Sequence, residues 1–167
     1  MIKIRKHLPT DIPYRVKWRN NPNVNIYIGH EIGQKTTLAK EKKWFADYQK
    51  DKKKKFFTIC DQSTPIGWMG LTNISKVNQN AEIFIAIGED NYHGKGIGKI
   101  ALNWIIDYGF SKLNLHKINL SVYEYNPRAI RLYQSLGFIN EGEMQDEVFF
   151  DGKFHKLLLM ALFNSKH

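Results

Sequence analysis

The sequence has few of the residues that form disulfide bonds or metal sites, and it has no long apolar run. It contains one cysteine, Cys60, so an internal disulfide is impossible and a metal site built on cysteine spacing is excluded. Its apolar runs are shorter than the roughly 20 residues of a membrane-spanning helix, and its first five residues are too polar for a secretory signal. We therefore expect a cytoplasmic protein with a buried, inert thiol, no metal and no membrane contact.

Carboxylates are also scarce relative to basic residues. The chain has 25 Lys and Arg against 16 Asp and Glu, a formal charge of +9, which favours an anionic partner such as nucleic acid, a membrane surface or a small ligand. The densest basic stretch, residues 50–55, joins an amphipathic segment to a strand-like one and lacks the interleaved aromatic residues of single-strand nucleic-acid platforms. We interpret it as a solvated loop and expect no nucleic-acid partner.

No repeat, low-complexity tract or linker divides the 167 residues, so we predict one domain over residues 1–167. Periodicity and capping residues predict the elements in order. They are a strand over 2–5, a helix from Thr10 or Asp11 to Arg19, a helix after Thr36 and Thr37, strands over 55–60, 65–74 and 79–88, a helix to about Phe110, a strand over 116–123, a helix from Asn126 to Leu136, and a hairpin turning at Asp151 and Gly152. This order predicts a mixed α/β domain that contains an antiparallel meander.

A glycine-rich loop connects the strand ending at Gly88 to the next helix. Gly94, Gly96 and Gly98 would let an anion approach the backbone N–H groups at the helix start, where the helix dipole favours negative charge. The G-x-G-x-G spacing matches neither the dinucleotide fingerprint nor the P-loop. On its own it indicates either a phosphate-binding loop of another type or a tight strand-to-helix turn.

A second motif favours the phosphate-binding loop over the tight turn. The run Asn126-Pro127-Arg128-Ala129-Ile130-Arg131-Leu132-Tyr133-Gln134-Ser135-Leu136-Gly137-Phe138 resembles the GNAT acyltransferases, and 93–98 is similar to the glycine motif of that superfamily with histidine in the place of its usual glutamine or arginine. The resemblance covers nearly the whole chain. It implies an α/β (α+β) domain with a mixed, mostly antiparallel sheet of about seven strands flanked by about four helices, and acetyl-CoA-dependent N-acetyltransferase activity.

The resemblance also implies how acetyl-CoA, a polyanionic co-substrate, is bound. Its pyrophosphate would lie on the loop formed by His93, Gly94, Lys95, Gly96, Ile97, Gly98 and Lys99. Asn126 would hydrogen-bond the pantetheine arm, and the backbone of Ile85, Ala86 and Ile87 would pair with its amides as an added strand does.

Two residues are implied for the proton transfers of a direct acetyl transfer. Glu82, a carboxylate within the apolar strand after residue 79, resembles the GNAT general base, although an exposed strand-edge glutamate is the alternative. Tyr133 resembles the tyrosine that acts as general acid toward the coenzyme sulfur, with helix packing as the alternative. A rival reading keeps the glycine loop but makes the protein a catalytically silent acyl-CoA sensor.

The sequence says least about the amine that accepts the acetyl group. Residues 16–24, 113–117 and 149–153 resemble the branch of ribosomal-protein-alanine and spermidine acetyltransferases. The Trp-Arg-Asn-x-Pro segment at 18–22 is also similar to enzymes that acetylate nucleotide-linked amino sugars. The resemblance implies that Trp18, Arg19 and Asn20 line the acceptor site, where they suit a phosphate, a base or a polar amide better than a polycation. We therefore expect a nucleotide-linked amino sugar or a protein N-terminus as the amine, place polyamines third, and expect a monomer or homodimer.

Overall fold

A computed structural model describes residues 1–29 and 32–166. Within them, seven strands form one sheet: β1 (Ile2–Lys6), β2 (Lys55–Asp61), β3 (Thr64–Ser75), β4 (Asn80–Ile87), β5 (Lys117–Tyr123), β6 (Ile139–Phe150) and β7 (Lys153–Phe163). The helices in the same residues are α1 (Ile12–Asn20), α2 (Pro22–Asn25), α3 (Leu38–Lys50), α4 (Ile97–Asp107) and α5 (Pro127–Ser135). The expected α+β architecture is confirmed.

The sheet is mostly antiparallel and has the strand order β1-β2-β3-β4-β5-β7-β6. Strands β2 to β4 form the predicted meander, and β1 pairs antiparallel with β2 at its edge. β4 and β5 are parallel neighbours, and β7 lies between β5 and β6. The β6–β7 hairpin turns where predicted, because Asp151 and Gly152 both adopt positive φ, 51° and 77°, as a type I′ turn requires.

Successive residues of the central strands point to opposite faces of the sheet, and each face packs against its own helices. On one face Phe56 and Trp68 pack with Trp18 and Val24 of α1 and α2, with Trp44 of α3 beside them. On the other face the neighbouring strand residues join a larger core with α4 and α5. Cys60 is buried, as expected.

The helix boundaries follow from capping residues. The Thr37 hydroxyl accepts a hydrogen bond from the N–H of Lys40 at 3.3 Å and begins α3, and Gly137, at φ 93°, follows the end of α5. Two features differ from the sequence prediction. Pro22 ends α1 but also occupies the first position of the short helix α2, and α4 continues into a π-helical turn over Tyr108–Lys112.

Candidate active site

The candidate active site is a cleft at the point where β4 and β5 separate. The two strands pair at only three positions in the described structure, Asn80 with Lys117, Ala81 with Ile118 and Glu82 with Asn119. Beyond Glu82, β4 stays paired with β3 as far as Ile87, while β5 stays paired with β7. The edge of β4 that faces the cleft therefore has backbone groups that are open to a ligand strand.

A cavity of about 1060 Å³ occupies this cleft. Most of its wall comes from five parts of the chain: residues 82–87 of β4, 92–94 and 96–99 around the glycine loop, 121–123 of β5, 126–129 with 132 and 133 of α5, and 23–24 with 26–29 after α1. Further wall residues come from α1, β2, β3 and β7: Arg15, Arg19, Phe56, Trp68, Thr72 and Leu157. The cavity thus brings both motifs found in the sequence into one site.

The glycine loop has the backbone geometry that the sequence predicted. Gly94 and Gly96 have φ of 78° and 76°, and Gly96 is the residue before the first turn of α4. A Cβ at Gly96 would meet no heavy atom within 4 Å, so conformation and not packing requires glycine there. The first-turn N–H groups of a helix lack acceptors four residues earlier in the helix. Here the N–H of Lys99 donates to the carbonyl of Gly96 at 3.1 Å, and Gly96, Ile97 and Gly98 line the cavity.

Positive side chains near this loop come from two helices. Lys99 of α4 and Arg128 of α5 both line the cavity, and a Cβ at Gly94 would lie 4.0 Å from the Arg128 guanidinium. Lys95 is not part of the cavity wall; its ammonium lies 5.5 Å from the ring centroid of Tyr92. Sequence reasoning missed Arg128, although its place in the Asn126–Phe138 motif could have indicated it.

His93 pins the loop to the end of β4. Its Nε2 lies 2.9 Å from the carbonyl oxygen of Ile87, and because a carbonyl only accepts, Nε2 carries the hydrogen. The imidazole therefore occupies a backbone acceptor that would otherwise be free for the pantetheine arm. Ile85 and Ala86 also lie in the cavity wall.

Asn126 begins α5 and faces the cavity. Its side-chain oxygen accepts from the N–H of Ala129 at 3.2 Å, so the oxygen is engaged as an N-cap. The amide nitrogen of the same side chain is the group that a ligand in the cavity would meet.

Glu82 and Tyr133 both line the cavity, from β4 and α5 respectively. The Glu82 carboxylate accepts a hydrogen bond from Asn73 Nδ2 at 3.2 Å. Tyr133 is 8% exposed, and burial raises the pKa of its phenol to about 12. The phenol is thus neutral at physiological pH, as a hydrogen-bond donor must be.

The three residues expected at the acceptor lie in different environments. Trp18 is fully buried, with its ring stacked on Trp68 at 5.5 Å between centroids, and its Nε1 donates to Glu89 at 2.8 Å. Asn20 is engaged with the backbone of Thr36 through both its oxygen and its nitrogen. The structure places neither Trp18 nor Asn20 in the cavity wall.

Arg19 does line the cavity, but Glu41 offsets its charge. Arg19 Nη1 lies 2.8 Å from one Glu41 oxygen, and Arg15 Nε bonds the other. Burial opposes the charged form of Glu41, yet Arg15 and the hydrogen bond from Thr36 keep the pKa of the carboxyl below its usual value. Arg15 and Glu41 were not singled out in the sequence, because their burial depends on helix packing that no local motif marks.

The remaining wall contains aromatic rings, and hydrogen bonds from two tyrosine hydroxyls fix the backbone segment beside it. Tyr27, Phe56, Trp68 and Phe84 contribute rings to the cavity. The hydroxyl of Tyr125 donates to the carbonyl of Ile26 at 2.7 Å, and that of Tyr123 donates to the carbonyl of Gly29. These bonds fix the segment after α2 against β5.

Among residues 1–29 and 32–166, no helix is long and apolar enough to cross a membrane. No group of three or more His, Cys, Asp or Glu side chains in ranges 1–29 and 32–166 is arranged to hold a metal ion.

Comparison with known proteins identifies the family of this chain. Residues 2–139 match the acetyltransferase (GNAT) domain family. The chain is 36% identical over 158 residues to the spermidine N(1)-acetyltransferase of Vibrio cholerae serotype O1, covering 94% of this chain and 90% of the relative.

Two solved structures from Vibrio cholerae have the same fold. The spermidine N-acetyltransferase in complex with CoA and spermine superposes with a TM-score of 0.91 at 30% identity, covering 99% of this chain and 96% of that one. A dodecameric structure of spermidine N-acetyltransferase superposes with a TM-score of 0.85 at 28% identity, covering 99% and 95%. The chain belongs to the GNAT family and is an acetyl-CoA-dependent N-acetyltransferase.

Proposed function

We propose that this enzyme transfers the acetyl group of acetyl-CoA to a primary amine of spermidine or a related polyamine. The observation that carries the proposal is the composition of the cavity wall. Among the residues that the structure describes, Glu82 is the one carboxylate in that wall, and it lies in a cavity rich in aromatic rings. The wall also has four Lys and Arg side chains: Lys99 and Arg128 lie beside the glycine loop, and Arg15 and Arg19 are paired with Glu41. A polyamine alternates ammonium groups with methylene chains, so a carboxylate and aromatic surfaces suit its two parts. The full-length similarity to a spermidine acetyltransferase supports the same acceptor.

This proposal reverses the order of acceptors favoured by the sequence. The preference for a nucleotide-linked amino sugar depended on Trp18, Arg19 and Asn20 as a polar or phosphate-binding group. In the structure Trp18 is buried, Asn20 is bound to Thr36, and Arg19 is paired with Glu41. A phosphate would have to compete with that carboxylate for Arg19.

The electrostatic environment on the β5 side also suits a cation. Burial first, and then the negative charge of Glu147, raise the pKa of the Tyr123 phenol, which lines the cavity. Glu147 belongs to a stretch of β6 with Asp146, Glu141 and Glu143, of which Glu141 is paired with Lys117 and Glu143 with Lys156. Glu147 is therefore the carboxylate of this strand whose negative charge acts on the cleft wall at Tyr123.

The reaction begins with removal of a proton from the acceptor. An alkylammonium with a pKa near that of lysine, about 10.4, is only about one part in 2,500 neutral at pH 7. We assign Glu82 as the base that takes this proton, directly or through water. The neutral nitrogen then attacks the thioester carbonyl carbon and a C–N bond forms. The C–S bond breaks to release the thiolate of CoA, and the second proton lost from nitrogen converts this thiolate, through solvent, into the free thiol, leaving a neutral amide.

Tyr133 is assigned to the departing sulfur. Its phenol, with a pKa of about 12, is a weaker acid than a thiol of ordinary pKa near 8.5. Complete proton transfer to a free thiolate would then be uphill by about 3 to 4 pKa units, or about 5 kcal/mol. We therefore assign to Tyr133 a hydrogen bond that stabilises the negative charge on sulfur while the C–S bond breaks.

We also propose an assembly larger than the monomer or homodimer expected from the sequence. The dodecameric structure of the Vibrio cholerae relative supports it. Two aromatic residues at the β6–β7 hairpin, Phe149 and Phe154, also support it. They are 61% and 60% exposed in the single chain, and their ring centroids lie 5.1 Å apart, so they form an apolar patch of the kind that contacts between subunits cover. Light scattering should give a mass well above twice that of the 19.6 kDa chain.

An amine panel tests the proposed acceptor. Release of free thiol from acetyl-CoA is followed with spermidine, spermine, a nucleotide-linked amino sugar and a peptide with a free N-terminus. We expect kcat/KM for a polyamine to exceed the others by at least about tenfold, a difference of 1.4 kcal/mol in transition-state binding. Faster turnover of the amino sugar or the peptide would refute the proposal, and CoA binding without turnover of any amine would favour the sensor function.

A further inference from the structure

The turn that precedes the glycine loop is bound to the corner between α1 and α2. Two consecutive carboxylates, Glu89 and Asp90, make these contacts. Glu89 accepts from the Trp18 indole at 2.8 Å and from the Lys17 ammonium at 2.7 Å. Asp90 accepts from the side-chain amides of Asn21 at 2.8 Å and Asn23 at 2.9 Å. We call these four contacts the α1–α2 clamp.

On one side, the clamp is continuous with the cofactor loop. The N–H of Tyr92 donates to the carbonyl of Glu89, and the N–H of His93 donates to the carbonyl of Asp90, at 3.0 and 3.1 Å. Residues 89–93 therefore form one hydrogen-bonded turn, and His93 is also bound to Ile87. An anion that fixes the loop after His93 also fixes the backbone that carries Asp90.

On the other side, the clamp is continuous with the acceptor wall. Asn21 caps α2 through a bond from the N–H of Asn23 to its side-chain oxygen. The backbone carbonyl of Asn21 accepts from the N–H groups of Val24 and Asn25, and the N–H of Ile26 donates to Pro22. Residues 23, 24 and 26–29 line the cavity, so the position of this corner determines the shape of that wall.

Packing at the base of the clamp is tight. A Cβ on Gly88 would lie 2.1 Å from the Trp18 ring, and Trp18 itself is fully buried. The junction between β4 and the turn therefore has no room to shift independently of α1. The two outer bonds at Asp90 are exposed and can break at low cost.

We propose that Asp90 is a positioning residue that transmits occupancy of the CoA loop to the acceptor wall through Asn21 and Asn23. Filling of the loop favours one arrangement of the turn at 89–93, and the clamp then holds the wall at Val24–Ile28 in its acceptor-binding arrangement. CoA binding alone should therefore stabilise residues that lie on the acceptor side. This inference depends on CoA binding and not on the identity of the amine.

Hydrogen exchange with CoA as the probe tests the inference. The reporter amides are those of Val24–Ile28, which are hydrogen-bonded in the structure. In the wild type, saturating CoA should slow exchange both at residues 94–99 and at 22–28, the latter by about threefold or more, the scale of one net hydrogen bond. In Asp90→Ala the slowing at 94–99 should remain and the slowing at 22–28 should be lost.

Two further variants separate transmission from simple destabilisation. Glu89→Gln keeps an acceptor for the Trp18 indole but loses the Lys17 ion pair, so it should retain at least half of the effect at 22–28. Asp47→Ala removes an exposed carboxylate of α3, outside the cavity wall, and should behave as wild type. A purely structural role for Asp90 would speed exchange at 22–28 equally with and without CoA.

Two results would overturn the inference. One is a wild-type protein in which CoA slows exchange at 94–99 but not at 22–28. The other is an Asp90→Ala variant with the full wild-type slowing at 22–28, which would mean that CoA protects that wall by direct contact. Failure of polyamine acetylation would appear in the thiol-release assay and would leave this comparison unaffected.

Discussion

Glu82 and Asn119 are the last residues that β4 and β5 pair before the two strands part. This register places the Glu82 carboxylate at the start of the cleft, opposite the β5 residues 121–123 that form its other wall. The proposed base is therefore positioned by sheet pairing and not by a mobile loop.

The first prediction concerns this carboxylate. Glu82→Gln keeps the shape and an acceptor oxygen for Asn73 but has no basic carboxylate. We expect kcat/KM at pH 7 to fall by about 10² to 10⁴-fold, with the loss shrinking toward high pH, where more of the amine is neutral. Thiol release over a range of pH measures this. Asp47→Asn, a change at an exposed carboxylate of α3 outside the cavity wall, is the control. Full activity of Glu82→Gln at pH 7 would remove Glu82 from the mechanism.

The second prediction concerns the glycine loop. Gly96→Asp places a negative charge where the backbone donors should meet the pyrophosphate, and we expect CoA affinity to fall at least about tenfold, or 1.4 kcal/mol. Gly96→Asn is the matched control, since asparagine has nearly the same size and also tolerates positive φ. Calorimetry should show a clearly smaller loss for the asparagine variant. Equal affinities of the aspartate variant and the wild type would place the pyrophosphate elsewhere.

The third prediction concerns Tyr133. Tyr133→Phe keeps the buried ring and removes the hydroxyl, so kcat should fall about 10²-fold if C–S cleavage limits the rate, with CoA binding almost unchanged. Because burial raises the pKa of this phenol to about 12, wild-type activity should show no loss from its ionisation below about pH 11. Tyr14→Phe, on the half-exposed side of α1, is the control. An unchanged kcat would indicate that Tyr133 only packs or that another step limits.

The fourth prediction concerns stability in acid. His7 is buried with its Nδ1 2.8 Å from the Thr58 hydroxyl, which itself donates to Asp11 at 2.7 Å. Burial lowers the His7 pKa from 6.5 to about 4. The unfolded chain therefore binds this proton first as pH falls, and the folded state should lose about 3 kcal/mol between pH 6.5 and 4.

Urea denaturation at a series of pH values measures this loss. His7→Gln keeps an amide donor for Thr58 but does not titrate, so this part of the pH dependence should disappear in the variant. Identical slopes for the two proteins across pH 4 to 6.5 would contradict the assignment.

Local chemistry was sufficient to predict much of the fold. Asn126 with Pro127 marked the start of α5, Asp151 with Gly152 marked the hairpin, and alternation marked the strands. Each of these signals depends on residues within a few positions of one another. The short helix α2 was missed because Pro22 serves both as the end of one helix and as the first residue of the next.

Long-range packing explains why the residues of the acceptor wall could not be predicted from the sequence. Trp18 is buried because Trp68, fifty residues away on β3, stacks against it, and no pattern around Trp18 indicates that partner. The pairing of Arg19 with Glu41 likewise needs α1 and α3 to be neighbours. For this reason the cofactor loop could be predicted as one local motif, whereas the acceptor wall, assembled from distant segments, could not.

Mass spectrometry of the reaction product shows whether this enzyme acetylates spermidine with Glu82 as its base. Spermidine and acetyl-CoA are incubated at pH 7 with the wild type, with Glu82→Gln and without enzyme, and acetylspermidine is quantified against CoA released. We expect one acetyl group per CoA in the wild-type sample and at least about 100-fold slower formation with the variant. Wild-type enzyme that forms no acetylspermidine while acetylating another amine would contradict this proposal.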